Sequence, residues 1–105
     1  MIKCVRLVTG EDIICDLELP DLETKKYRFK KPALIMMVQT AENKVQFRMI
    51  PWIPFAGNEN FDNISESLVA LVYDPNEGLR NEYSTRYGSG LIIPQLDTKS
   101  LLTES

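Results

Sequence analysis

The apolar residues of this chain come in short runs, and several of them alternate with polar residues at a period of two. The first run covers residues 2–9. It passes through Gly10-Glu11-Asp12 into residues 13–19, where Ile13, Cys15, Leu17 and Leu19 alternate with Asp16 and Glu18. Such alternation marks a strand with one buried face, so residues 2–9 and 12–19 are expected to pair as a β-hairpin. Pro20-Asp21 ends the hairpin, and the stretch from there to Lys31 is polar and charged.

A second hairpin is expected next. Residues 33–38 are apolar on both parities, Ala41-Glu42-Asn43-Lys44 makes a turn, and a fourth strand follows over 45–53. A strand apolar on both faces must be covered by another element or by a second subunit. Pro51 and Pro54 on either side of Trp52 point to a bend or a sheet edge. Residues 56–67, with Gly57, Asn58, Asn60 and Asn63, read as a loop, and a fifth strand is expected at 68–73.

Asp74-Pro75-Asn76-Glu77 then supplies a capping acid, a proline at the first helical position and a glutamate at the third. That order predicts one short amphipathic helix over 75–87, with Gly88 as its stop. Tyr83 and Tyr87 recur on one helical face and are expected to pack it onto the sheet. Leu91-Ile92-Ile93 is the last apolar piece. The expected organisation is one mainly β domain over 1–94 and a frayed tail over 95–105.

Composition narrows the function classes. A chain of 105 residues is about one domain long, and a domain this small gains from burying more surface against copies of itself. The net charge of -3 argues against coating nucleic acid through overall positive charge. There is no apolar run of the ~18 residues that a membrane span needs, and the first residues lack the zones of a signal peptide, so a cytoplasmic protein without membrane contact is expected.

The two cysteines, Cys4 and Cys15, are too few for a disulfide framework. In the first hairpin both sulfurs are expected on the same face, as small buried thiols rather than as a redox pair. The sequence contains no histidine, which removes the commonest general base and any His-dependent nucleophile or metal site. Neither a phosphate loop nor a metal cluster is visible, and the chain reads as a binding protein without a cofactor, not as an enzyme.

The strand, glycine turn and strand of residues 5–17 resemble the first motif of the Sm-like family. With Pro32-Ala33-Leu34, Pro51-Trp52-Ile53-Pro54 and the 67–73 segment, residues 2–75 are similar to Sm-like proteins of the kind found in marine phages of cyanobacteria. The resemblance implies a strongly bent five-stranded barrel of the SH3 type. It also implies a homo-oligomeric ring of about five to seven subunits, in which the fourth strand of one, here 45–53, pairs with the fifth of the next, here 68–73. Sm proteins usually bind uridine-rich RNA through an Asp and an Asn in one loop and an Arg-Gly in another. This chain has neither, offering Asp21-Leu22-Glu23-Thr24 and Asn58-Glu59-Asn60-Phe61 at the corresponding places.

The candidate binding feature is instead the run 25–31. Lys25, Lys26, Arg28, Lys30 and Lys31 are five of the twelve positive charges, interleaved with Tyr27 and Phe29. Cations on phosphates and rings on bases would suit single-stranded RNA, with Tyr27 or Phe61 stacking. In an extended strand Lys26, Arg28 and Lys30 would face water while Tyr27 and Phe29 face inward, an arrangement that needs no ligand. Two readings therefore stand: a ring acting in RNA metabolism, and a protein-interaction scaffold whose basic strand only keeps it in solution.

Overall fold

The structure is a computed structural model that describes residues 1–88, so Leu91-Ile92-Ile93 and the expected tail 95–105 lie outside the described residues. The chain divides into two compact units, Met1–Pro75 and Asn76 onward. The first is a single antiparallel sheet of β1 (Ile2–Leu7), β2 (Asp12–Glu18), β3 (Lys26–Gln39), β4 (Val45–Pro51), β5 (Asn60–Ser65) and β6 (Val69–Tyr73), with a 3₁₀ turn at Glu66–Leu68. The second contains α1 (Glu77–Tyr87).

The sheet order is β4-β3-β2-β1-β6, and β5 joins it by pairing with β3. The fold is thus mainly β as expected, but it has six strands where five were anticipated. The reason lies along β3. Residues 33–39 of that strand pair with β4 and residues 26–30 with β5, both on the side away from β2. β4 and β5 therefore lie end to end along one edge of β3, separated by the excursion 52–59. The expected fourth strand stops at Pro51, and part of the expected loop 56–67 becomes β5.

The expected polar break before Lys31 is also overturned, because β3 runs unbroken through it from Lys26. A bulge makes this possible. The ladder to β2 steps from Ile14↔Ala33 to Asp16↔Lys30, so β3 carries one extra residue there. Lys31 takes up that step with φ 49°, and Pro32, which has no N–H to offer a ladder, sits in the same kink. Parity switches as a result: Phe29 and Leu34 face the same side, opposite Leu17 and Ile13 of β2.

Val5, Leu7, Ile13, Cys15, Leu17 and Phe29 form the core of the first unit. Tyr27, Trp52, Ile64, Leu68, Val69 and Val72 pack around it. β6 ends the path at β1 while β5 hangs on β3, yet Ile64 and Val72 reach one cluster. Only a strongly curled sheet allows that. Among the described residues no ladder joins β6 to β4 or β5, so the curl leaves β4 and β6 as outer strands.

The first hairpin turns at Gly10, whose φ of 97° suits a residue without a side chain. Its register corrects one expectation. Cys15 lies opposite Lys3 and Cys4 opposite Ile14, so the two sulfurs point to opposite faces of the sheet. Neither cysteine is in a disulfide, and both are fully buried. Burial pushes the Cys15 thiol up to about 12. The fold thus favours the neutral thiol, and the stability this contributes is complete below the ordinary thiol pKa of about 9.0 and is lost as pH rises toward about 12. Thiol titration is expected to find no reactive cysteine in the native protein and two after denaturation, with the denaturant midpoint falling above about pH 9. A cysteine labelled at native pH 8 without unfolding would contradict this burial.

In the second unit the helix begins two residues later than predicted. Asn76, not Asp74, is the cap, and its side-chain oxygen accepts from the Leu79 N–H at 2.8 Å. Asp74 is engaged elsewhere, in an ion pair with Lys3 of β1, which leaves Asn76 as the nearest capping side chain before the first helical residue. Within the helix, Arg86 pairs with Glu82 at 2.6 Å, and the Tyr83 and Tyr87 rings stack with centroids 5.0 Å apart.

Candidate functional site

The basic run 25–31 lies at the start of β3, which is paired on both sides there, by β2 and β5. Lys25 sits in the turn before the strand with φ 58°, and Lys31 is the bulge residue. Alternation between them sends the side chains to two faces. Phe29 is fully buried in the core, and Tyr27 packs on the same cluster. Lys26, Arg28 and Lys30 therefore share the opposite, wet face. Of the residues expected to act together, the structure brings Lys26, Arg28 and Lys30 onto one surface and turns the Tyr27 ring away from it.

Phe61 belongs to β5 and stands opposite Phe29 in the ladder. Its ring meets Trp52 edge-on with centroids 5.6 Å apart, and Trp52 in turn lies 5.7 Å from Phe29. The chain of rings continues to Tyr27, 6.3 Å from Phe29. These four aromatics close the end of the core beneath the basic strand. Tyr27 and Phe61 are half-buried there, on the core side of the sheet.

The wet face carries two carboxylates that sequence reasoning did not place beside the basic run. Glu18, at the end of β2, reaches Lys30 Nζ at 2.7 Å and Arg28 Nη1 at 3.6 Å. Asp62 of β5 holds the other side of the same guanidinium, accepting from Arg28 Nε and, at 3.4 Å, from Nη2. The result is a row Lys30–Glu18–Arg28–Asp62 crossing three strands. The hydrogen bond from Lys30 holds the Glu18 carboxyl below its usual range, and the bond from Arg28 does the same for Asp62. Both carboxylates raise the Arg28 pKa, Asp62 more than Glu18. Among the described residues no ion pair engages Lys25 or Lys26.

Period-two reading found Glu18 on a solvent face, because β2 alternates cleanly. It missed Asp62 because Phe61 and Ile64 both face the core although three residues apart. The β3–β5 ladder steps from Tyr27↔Ile64 to Phe29↔Phe61, so Asp62 and Asn63 share one bulge, with Asn63 at φ 62°. A second set of carboxylate contacts lies at the other side of the sheet. Arg6 grips Asp12 through two bonds of 2.9 Å, and the Tyr73 hydroxyl donates to Asp12 at 3.1 Å, tying β6 to β2 across β1.

The outer strands form the other candidate surface. β4 pairs only with β3, and β6 only with β1. Along them Val45, Phe47 and Ile50 of β4 and Leu71 of β6 are exposed, and Met36 and Met37 of β3 stand exposed beside β4. Phe55, in the turn closed by the Ala56 N–H on the Ile53 carbonyl, is 97% exposed. The apolar run at 33–38 is thus covered at its start, where Ala33 is buried and Leu34 packs on the core, and stands exposed at Met36 and Met37.

Among the described residues no group of three or more His, Cys, Asp or Glu side chains could hold a metal ion, and no helix is long and apolar enough to cross a membrane. No protein-family model matches the chain, and a search of curated proteins finds no match.

Proposed function

We propose that this chain is an Sm-like subunit that assembles head to tail into a homo-oligomeric ring and binds single-stranded RNA through the wet face of β3. One observation carries the assembly half of this reading: the sheet path ends in two different strands, β4 and β6, that are unpaired outward and bear exposed apolar side chains. Two unlike edges suit a heterologous contact, in which β4 of one subunit pairs with β6 of the next, and such a contact either closes into a ring or polymerises. Exposed strand edges of this kind are otherwise an aggregation hazard. β4 and β6 are also the strands that the resemblance to Sm-like proteins singles out, with β5 continuing β4 beyond the 52–59 excursion.

The RNA half rests on Lys25, Lys26, Arg28, Lys30 and Lys31, gathered within one strand and its flanking turn, and a ring would repeat that patch around its circumference. Light scattering on the purified, nuclease-treated protein is the first test, with a mass of about five to seven subunits expected at both low and high salt. Titration with a labelled oligouridylate should then give an affinity that falls as salt rises, because each phosphate neutralised by a cation releases counterions. Arg28→Ala combined with Lys26→Ala should weaken that binding about tenfold at constant assembled mass. A monomer at every concentration would overturn the ring, and an oligonucleotide affinity independent of salt would overturn the phosphate contacts.

The scaffold reading keeps one observation of its own. Glu18 and Asp62 already occupy Arg28 and Lys30, while the apolar hairpin of β3 and β4 stands open. A ring that fails to bind any oligonucleotide would favour it.

A further inference from the structure

The contacts of Arg28 and Lys30 resemble those that a nucleic-acid backbone would make. A carboxylate and a phosphodiester each present two acceptor oxygens to a guanidinium fork. Asp62 fills that position on the Nε–Nη2 side of Arg28, and Glu18 bridges Nη1 of Arg28 and Nζ of Lys30. The donors are therefore already aimed outward from a rigid, doubly paired stretch of β3. All four side chains are between 35% and 55% exposed, so a solvent-borne anion can reach them. Exposed ion pairs are weak individually and exchange readily.

We infer that Glu18 and Asp62 stand in, in the free protein, for phosphate oxygens on Arg28 and Lys30, so that single-stranded RNA binds by exchanging carboxylate for phosphate. This deepens, and rests on, the RNA-binding reading above. Lys25 and Lys26, which no described carboxylate engages, make the first contact. The next phosphates along the strand then displace Glu18 and Asp62. An isolated phosphate has only one exchange to offer against two tethered carboxylates, whereas a polymer offers several at once. The carboxylates thus make the face selective for a chain of phosphates over a free nucleotide.

The test uses the full chain and a fluorescein-labelled oligouridylate, read by anisotropy over a series of salt concentrations. Wild type is compared with Asp62→Asn, with Glu18→Gln, and with Glu23→Gln as a control for net charge. Glu23 is exposed in the turn after β2 and has no ion pair among the described residues. Asp62→Asn and Glu18→Gln, on different strands, are each expected to bind about fivefold tighter than wild type and to steepen the log–log salt slope by roughly 0.7 per cation released. Glu23→Gln should stay within about twofold of wild type.

Equal tightening in all three variants would reduce the effect to net charge and overturn the exchange. So would binding by wild type with no change in Asp62→Asn or Glu18→Gln, and in either case the RNA reading would stand. Absence of binding in every protein, at unchanged assembled mass, would overturn both.

Discussion

Leu71→Glu is expected to convert the proposed ring of about five to seven subunits into a monomer while leaving the subunit folded. Leu71 is 54% exposed on the outermost strand, opposite the exposed Arg6 of β1. A charge there meets water in the isolated chain, and surface changes of this kind usually alter stability by less than about 0.5 kcal/mol. In a β4–β6 contact the same charge would be buried against apolar side chains such as Phe47 without a partner, which costs far more. Phe47→Glu on β4 should act identically from the other edge. Mixing the two variants discriminates further. Each retains one good edge, so a head-to-tail contact predicts a one-to-one dimer that cannot grow, whereas a symmetric β4–β4 or β6–β6 contact predicts self-dimers of one variant before mixing. Light scattering separates these cases. If both variants keep the wild-type mass, these edges are not the interface.

The second large effect concerns the core. Phe29→Ala should lower the stability of the Met1–Pro75 unit by about 3–5 kcal/mol. Phe29 is fully buried, stands opposite both Leu17 and Phe61, and contacts Tyr27 and Trp52. Removing its ring leaves a cavity at the point where β2, β3 and β5 meet, and a small domain has only about 5–15 kcal/mol in hand. Urea denaturation followed by fluorescence measures this directly, because Trp52 is the only tryptophan and lies against the deleted ring. Phe29→Leu should recover much of the loss. A midpoint shift corresponding to less than about 1 kcal/mol for Phe29→Ala would mean that the aromatic chain does not anchor the core.

Where alternation is regular, the sequence was legible. β1, β2 and the turn at Gly10 follow from Ile13, Cys15 and Leu17 facing one way and Asp16 and Glu18 the other. The apolar hairpin of β3 and β4 and the strand at 69–73 are legible for a different reason, as continuous apolar runs bounded by turn residues. What the pattern hid was bulges. Lys31, Asn63 and the irregularity opposite Arg6 and Leu7 each insert a residue, so Phe29 and Leu34, Phe61 and Ile64, and Val69 and Val72 share a face at odd spacing.

A period-two reading takes such spacing for a loop, as it did for 56–67 and for the approach to Lys31. The same device decided the candidate site. Lys26, Arg28 and Lys30 were expected on one wet face, and they are there. Asp62 is invisible to that pattern because its strand is bulged, and a register shift of one residue, which reverses a face completely, separates the expected cysteine faces from the observed ones. Local spacing points to Asp74 as the helix cap because its long-range partner, Lys3, cannot be read from it.

The pairing of β1 with β6 also governs how the chain behaves while it is being made. Cys4 finds its ladder partner in Tyr73, so β1 waits for a strand that is made 69 residues after it. At synthesis rates of roughly 5–20 residues per second, that edge stays open for several seconds, with the β1–β2 hairpin already able to form. During that interval an unfinished chain offers the same open edge to neighbouring nascent chains. Crowded polysomes would therefore favour cross-pairing between incomplete copies, and slower translation beyond Ser65 would lengthen the exposure.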